Sequence, residues 1–200
     1  MMRKWAASFA GILVGVLFWS GTAASSFLFE MGQGSTVAVR GTSNVSGFTC
    51  RSTAVITQGA IWASVQESPA LVAFSGAPMQ VVVSSIDCGN ALMNKDLRST
   101  LKEKHYPTIR FYLQVLKFIP GSTRSDGKCM LLVEVAGKKR QVEVPFTYEL
   151  TNQAMVLKGT VPLAFSQFGL VPPERAGGLI TVSEQFSVDF SLRFVPLAQE

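Results

Sequence analysis

A two-residue alternation of apolar and polar side chains runs through the chain and most strongly limits its fold. From Val182 to Phe194 every second residue is apolar except Glu184, whereas the residues between them, from Thr181 to Arg193, are polar or charged. Because successive side chains of a β-strand point to opposite faces, one face of this segment is almost wholly apolar. The pattern predicts a long strand with one buried face.

Three further segments alternate in the same way and are predicted to be strands. They span residues 109–115, 142–150 and 155–165. In the third segment we expect Gly159 to form a bulge or bend. Shorter candidate strands cover residues 35–40, 45–57, 60–65, 79–84 and 128–136. Short turns connect nearly all of these segments, which predicts eight or nine strands paired antiparallel within one domain.

A single segment, residues 94–104, has the period of a helix. Asn94 is a suitable N-cap, and Met93, Leu97 and Leu101 lie four residues apart on one side. Pro107 is expected to end the helix, because a proline forces the residue before it towards an extended conformation.

An antiparallel sheet of this size buries its apolar face either as a sandwich or as a closed barrel. The predicted strands over residues 108–119 and 181–195 are longer than the usual five or six residues, which favours the barrel. About eight strands enclose a space that side chains fill or that one small ligand occupies. We therefore predict an all-β fold, an antiparallel closed β-barrel with one short helix. The alternation leaves open whether its interior is filled.

Seven large apolar residues fall on the predicted inward faces. If the interior is open, these residues form the wall of an apolar binding site: Phe111, Leu113, Leu157, Val161, Phe165, Phe186 and Phe190.

The N-terminus has the three-part layout of a secretory signal. Arg3 and Lys4 make the first four residues positive, residues 5–19 carry no charge, and small residues follow at 21–25. The apolar run is shorter than the roughly 20 residues that span a membrane. We expect a signal peptide over residues 1–24 and an exported domain over residues 25–200, periplasmic or secreted and not integral to the membrane. Its formal charge of about +3 is too small to indicate a nucleic-acid partner.

Export changes how the cysteines are interpreted, because disulfides form in oxidising compartments. Cys50, Cys88 and Cys129 allow three pairings. We favour Cys50–Cys88, since both lie near the ends of probable neighbouring strands, with Cys129 as a buried free thiol. The single histidine, His105, cannot supply a multi-histidine metal site or an evident acid–base pair. We expect no enzyme activity, no metal and no catalytic cofactor.

Five sequence segments in order carry a resemblance to a known family. They are Gly41–Thr49, Val82–Asp87 followed by Met93–Leu97, His105–Phe111, Val135–Val142 and Phe168–Pro173. Together they resemble the YceI-like family of secreted lipid- and polyisoprenoid-binding proteins, from about Ser35 to Val195.

The resemblance implies a lipocalin-like barrel around an elongated apolar tunnel. It also implies non-catalytic binding or carriage of an apolar lipid, a quinone or a polyprenyl chain, in the cell envelope. The alternative is an envelope interaction module with a filled barrel and no ligand.

Overall fold

The computed structural model describes residues 26–65, 71–118, 126–151 and 153–197. The predicted signal peptide, residues 1–24, lies outside the described residues. The strands within these ranges are β1 (Ser26–Met31), β2 (Thr36–Ser43), β3 (Gly47–Ser52), β4 (Val55–Thr57), β5 (Ile61–Val65), β6 (Leu71–Gly76), β7 (Met79–Val82), β8 (Thr108–Phe118), β9 (Asp126–Val135), β10 (Lys138–Leu150), β11 (Met155–Ala164), β12 (Glu174–Arg175) and β13 (Ile180–Pro196). The α-helix of the described chain, α1, spans Ala91–Thr100, and short 3-10 turns lie at Val83–Ser85, Phe165–Phe168 and Ala176–Gly178.

Eight of the described strands pair antiparallel in a closed ring. Their order is β1, β5, β6, β8, β9, β10, β11 and β13, and β13 returns to β1. The closing pairs join Phe29–Met31 to the stretch from Phe194 to Pro196. The prediction of an all-β antiparallel fold with a ring of about eight strands and one helix is confirmed.

The ring divides at one end, which we call the mouth end. There β13 pairs with β2 instead of β1, and β8 pairs with β7 instead of β6. The added strands β3 and β4 extend this divided wall, since β3 pairs with β2 and β4 with β7. An isolated bridge between Arg51 and Asp87 joins β3 to the chain just before α1. The helix α1 therefore lies beside the mouth end of the ring.

Gly159 does not form the predicted bulge or bend. The pairing of β11 with β10 and β13 is regular there, and Gly159 lies opposite both Phe146 and Phe190. A Cβ atom at this position would lie 2.5 Å from Cζ of Phe190. The glycine is needed because the Phe190 ring occupies the space that a side chain would take.

A bulge does occur in β8, where the sequence predicted unbroken alternation. The register with β9 shifts between Leu113 and Val115. After the shift Leu116 is completely buried, while Val115, which we expected on the inward face, is only partly buried. The extra residue reverses the faces for the rest of the strand.

The helix begins earlier than predicted. Its N-cap is Asn90, whose side chain accepts hydrogen bonds from the backbone N–H groups of Leu92 and Met93. Asn94, the predicted cap, lies inside α1 and accepts a hydrogen bond from the N–H of Cys88 while donating one to Asp87. The helix also ends at Thr100, well before Pro107.

Candidate functional site

The mouth end contains an apolar cavity of about 290 Å³, which we call the mouth cavity. It lies between α1, the β2–β3 hairpin and the start of β13. Most of its wall is hydrocarbon, contributed by Val39, Phe48, Met93, Leu97, Ile180, Val182 and Phe186. Its polar wall residues are partly or fully exposed and include Ser43, Ser46, Asp96, Thr100 and Arg175.

Two smaller apolar cavities lie deeper in the ring. The middle cavity, of about 60 Å³, shares Val39, Leu97, Phe165 and Phe186 with the mouth cavity. The deep cavity, of about 20 Å³, shares Val37, Phe111 and Val188 with the middle one. The three cavities thus follow one another from the mouth into the barrel, and each neighbouring pair has common wall residues.

The Phe165 and Phe186 rings lie where the mouth and middle cavities meet. Their centroids are 4.8 Å apart and the rings are tilted by 50°. The Phe165–Phe168 turn and β13 position these rings from two sides. This aromatic pair separates the wider outer space from the narrow inner one.

The structure places five of the seven predicted wall residues at this row of cavities. Phe165 and Phe186 line the mouth and middle cavities, Phe111 lines the middle and deep ones, and Val161 and Phe190 line the deep one.

The other two predicted wall residues lie elsewhere. Leu157 is buried within the core. Leu113 borders a separate cleft of about 200 Å³ beside the β8 bulge, together with Tyr112 and Gln114. The predicted residues therefore share the interior of the ring but not one continuous space.

Helix residues that the sequence did not assign to the site also line the mouth cavity. Met93 and Leu97 face it from α1, and their four-residue spacing with Leu101 is the signal that predicted one apolar helix side. The spacing could not show that this side faces a cavity.

An ion pair lies at the border of the mouth cavity and connects β12 to α1. Nε of Arg175 donates to Oδ2 of Asp96 at 2.7 Å, and Nη2 donates to Oδ1. The hydrogen bonds to Asp96 raise the pKa of Arg175 above its ordinary value. Because each charge is matched, the border is polar without carrying a net charge from this pair.

Cys50 and Cys88 form a disulfide, as expected from their positions, and both line the mouth cavity. The bond joins β3 to the chain before α1. Cys129 is a free, buried thiol in β9, and burial raises its pKa to about 12.

No group of three histidine, cysteine, aspartate or glutamate side chains suited to a metal ion occurs in the described ranges. The helix within those ranges is also too short and too polar to cross a membrane.

Comparison with known proteins gives one family and several related folds. The YceI-like domain family matches residues 20–194. The crystal structure of BcnA from Burkholderia cenocepacia is similar with a TM-score of 0.62 and 20% identity, over 80% of this chain and 95% of that chain. A polyisoprenoid binding domain from Saccharophagus degradans, implicated in plant cell wall breakdown, gives 0.56 and 11%, over 86% and 100%. No curated protein matches the sequence.

Proposed function

Because the chain belongs to the YceI-like domain family, we propose that it binds an apolar lipid of the polyisoprenoid type inside its barrel. The lipid is a quinone or a polyprenyl compound, and the protein carries it without catalysis in the cell envelope. The polyisoprenoid binding domain of Saccharophagus degradans, which shares the fold, supports this ligand class.

The observation that carries the proposal is the row of three apolar cavities with common walls. A dry cavity of about 150 Å³ accepts benzene, so the 290 Å³ mouth cavity has room for about two five-carbon isoprene units. The middle cavity, of about 60 Å³, is smaller than one that accepts benzene, so a longer tail enters it only if the Phe165 and Phe186 rings move and widen it. Ten buried CH₂-sized groups contribute about 8 kcal/mol, which equals the free energy of micromolar binding before the entropy losses of association are subtracted.

Two features support a location outside the cytoplasm. The sequence begins with the layout of a secretory signal, and Cys50 and Cys88 form a disulfide. Structural disulfides persist in oxidising compartments such as the periplasm. A carrier there would shield an apolar chain from water between membranes.

Organic extraction and mass spectrometry of the natively purified protein test the proposal. We expect a polyisoprenoid lipid in the extract. Val39→Phe adds bulk where the mouth and middle cavities meet and should lower the lipid content severalfold. Ala38→Phe is the matched control, because Ala38 lies on the outer face of β2 beside Arg40 and should leave the lipid content unchanged.

Two results would count against lipid carriage. One is a wild-type protein that contains no lipid and takes none up from a prenyl quinone solution. The other is equal lipid content in both variants at equal melting temperature. An empty barrel that resists loading supports the interaction module instead, and the small volumes of the middle and deep cavities favour that alternative.

A further inference from the structure

Three exposed aliphatic side chains stand at the edge of the mouth cavity. Val45, at the tip of the β2–β3 hairpin, is 69% exposed; Leu179, directly before β13, is 76% exposed, and Ile180, the first residue of β13, is 41% exposed. We call these three residues the apolar rim. A group of exposed aliphatic side chains at one place, unlike a single exposed one, is typical of a surface that contacts a membrane or another protein.

Hydrogen bonds hold the two parts of the rim together. The side-chain amide of Asn44 donates to the carbonyl of Leu179 at 2.9 Å, and its oxygen accepts from the N–H of Thr181 at 3.1 Å. The N–H of Asn44 also donates to the carbonyl of Thr181. The rim is therefore a fixed surface feature and not two independent loops.

The rim is continuous with the proposed lipid site. Val45 and Ile180 are exposed to solvent and also line the mouth cavity. An apolar path therefore leads from the outer surface to the cavity wall over two side chains.

The segments that carry the rim contain no charge. Residues 41–48 and 176–183 lack Asp, Glu, Lys and Arg, although at the 16% frequency of the whole chain they would contain two or three. Charged groups are costly to move out of water, so their absence favours insertion into an apolar phase.

We infer that the apolar rim inserts into the surface of a lipid bilayer. The bound molecule then moves between the membrane and the mouth cavity without crossing water. The inference rests on the proposed function, because a lipid carrier must load from a membrane. The occupant of the rim is the bilayer surface itself, and a partner protein is the competing outcome of the test.

Sedimentation with vesicles tests the inference. The vesicles contain phosphatidylethanolamine and phosphatidylglycerol, and the measured quantity is the fraction of protein bound at increasing lipid concentration. Leu179→Asp should weaken partitioning by about tenfold or more, since it replaces an inserted aliphatic group by a charge. Leu150→Asp is the matched control, because Leu150 is 70% exposed and lies at the end of β10 away from the mouth. All variants carry the same N-terminus, so differences in vesicle binding among them do not come from the predicted signal peptide.

Wild-type protein that stays in the supernatant would overturn the inference, as would equal weakening by Leu179→Asp and Leu150→Asp at unchanged melting temperature. Capture of a purified envelope protein through Leu179, without vesicle binding, would assign the rim to a protein partner. Lipid content measured on the same samples separates the two hypotheses. If the protein contains lipid but does not bind vesicles, only the inference that the rim inserts into a bilayer is contradicted. If it binds vesicles but never contains lipid, the proposed function is contradicted.

Discussion

At the scale of single residues, the reactivity of the Cys129 thiol tests whether this side chain is buried inside the barrel. Cys129 is buried in β9 and its pKa is raised to about 12, so almost none of the reactive thiolate exists near neutral pH. We expect native protein to show no reaction with Ellman's reagent at pH 8. In denaturant without reductant one thiol per chain should react, because Cys50 and Cys88 are joined. Three reactive thiols in denaturant, or rapid reaction of the native protein, would contradict the structure.

Individual residues also show why only part of the site was predictable from the sequence. Alternation identifies which face of a strand a side chain occupies, and both Leu157 and Phe190 lie on inward faces. It does not show how neighbouring side chains fill the space, since Phe190 borders the deep cavity whereas Leu157 packs within the core. Volume left beside a residue depends on contacts from other strands. Assigning a cavity therefore needs the three-dimensional arrangement.

At the scale of elements, the Cys50–Cys88 disulfide joins β3 to the chain before α1 across a sequence separation of 38 residues. Closing a loop of this length in the unfolded chain is expected to stabilise the fold by about 3–4 kcal/mol. The Cys50→Ser, Cys88→Ser double variant should therefore melt lower by on the order of 10 °C. Calorimetry measures this shift, and reduced wild-type protein is the control that should match the variant. An unchanged melting temperature would show that the bond adds little to folding stability.

Element boundaries were predictable where local periodicity sets them and not where a single residue interrupts it. The alternation over residues 181–195 corresponds to most of β13, which spans Ile180–Pro196. The predicted strand over residues 45–57 is two strands instead, because the Ser52 hydroxyl accepts a hydrogen bond from the N–H of Ala54 and turns the chain. The helix start was misplaced because Asn90 and Asn94 are both suitable N-caps. Hydrogen bonds to Asp87 and Cys88, in the turn just before the helix, give the Asn94 side chain a different role.

At the scale of the whole molecule, ring closure depends on pairs that sequence patterns do not contain. β1 and β6 were not predicted, yet β1 closes the ring against the end of β13 and β6 links β5 to β8. The closing strands are separated by most of the chain, and β1 pairs with β13 over only three residues. Strand length and alternation favoured a barrel over a sandwich, but they could not specify which strands complete it.

At the scale of the whole molecule, we also expect lipid removal to destabilise the protein mainly at the mouth end. If the proposed lipid occupies the mouth cavity, a ligand at about 100 times its Kd stabilises the fold by about 2.7 kcal/mol. Delipidation should then lower the melting temperature by roughly 5–10 °C for a domain of this size.

Lipid removal should also speed amide hydrogen exchange in the segments that border the mouth cavity, which are α1, the β2–β3 hairpin and residues 165–186. The start of β9 and the facing part of β10, where Gly127 pairs with Phe146 at the end of the ring opposite the mouth, are the internal control. If hydrogen exchange quickened equally in all strands of the ring, the effect of the lipid would not be localised at the mouth cavity.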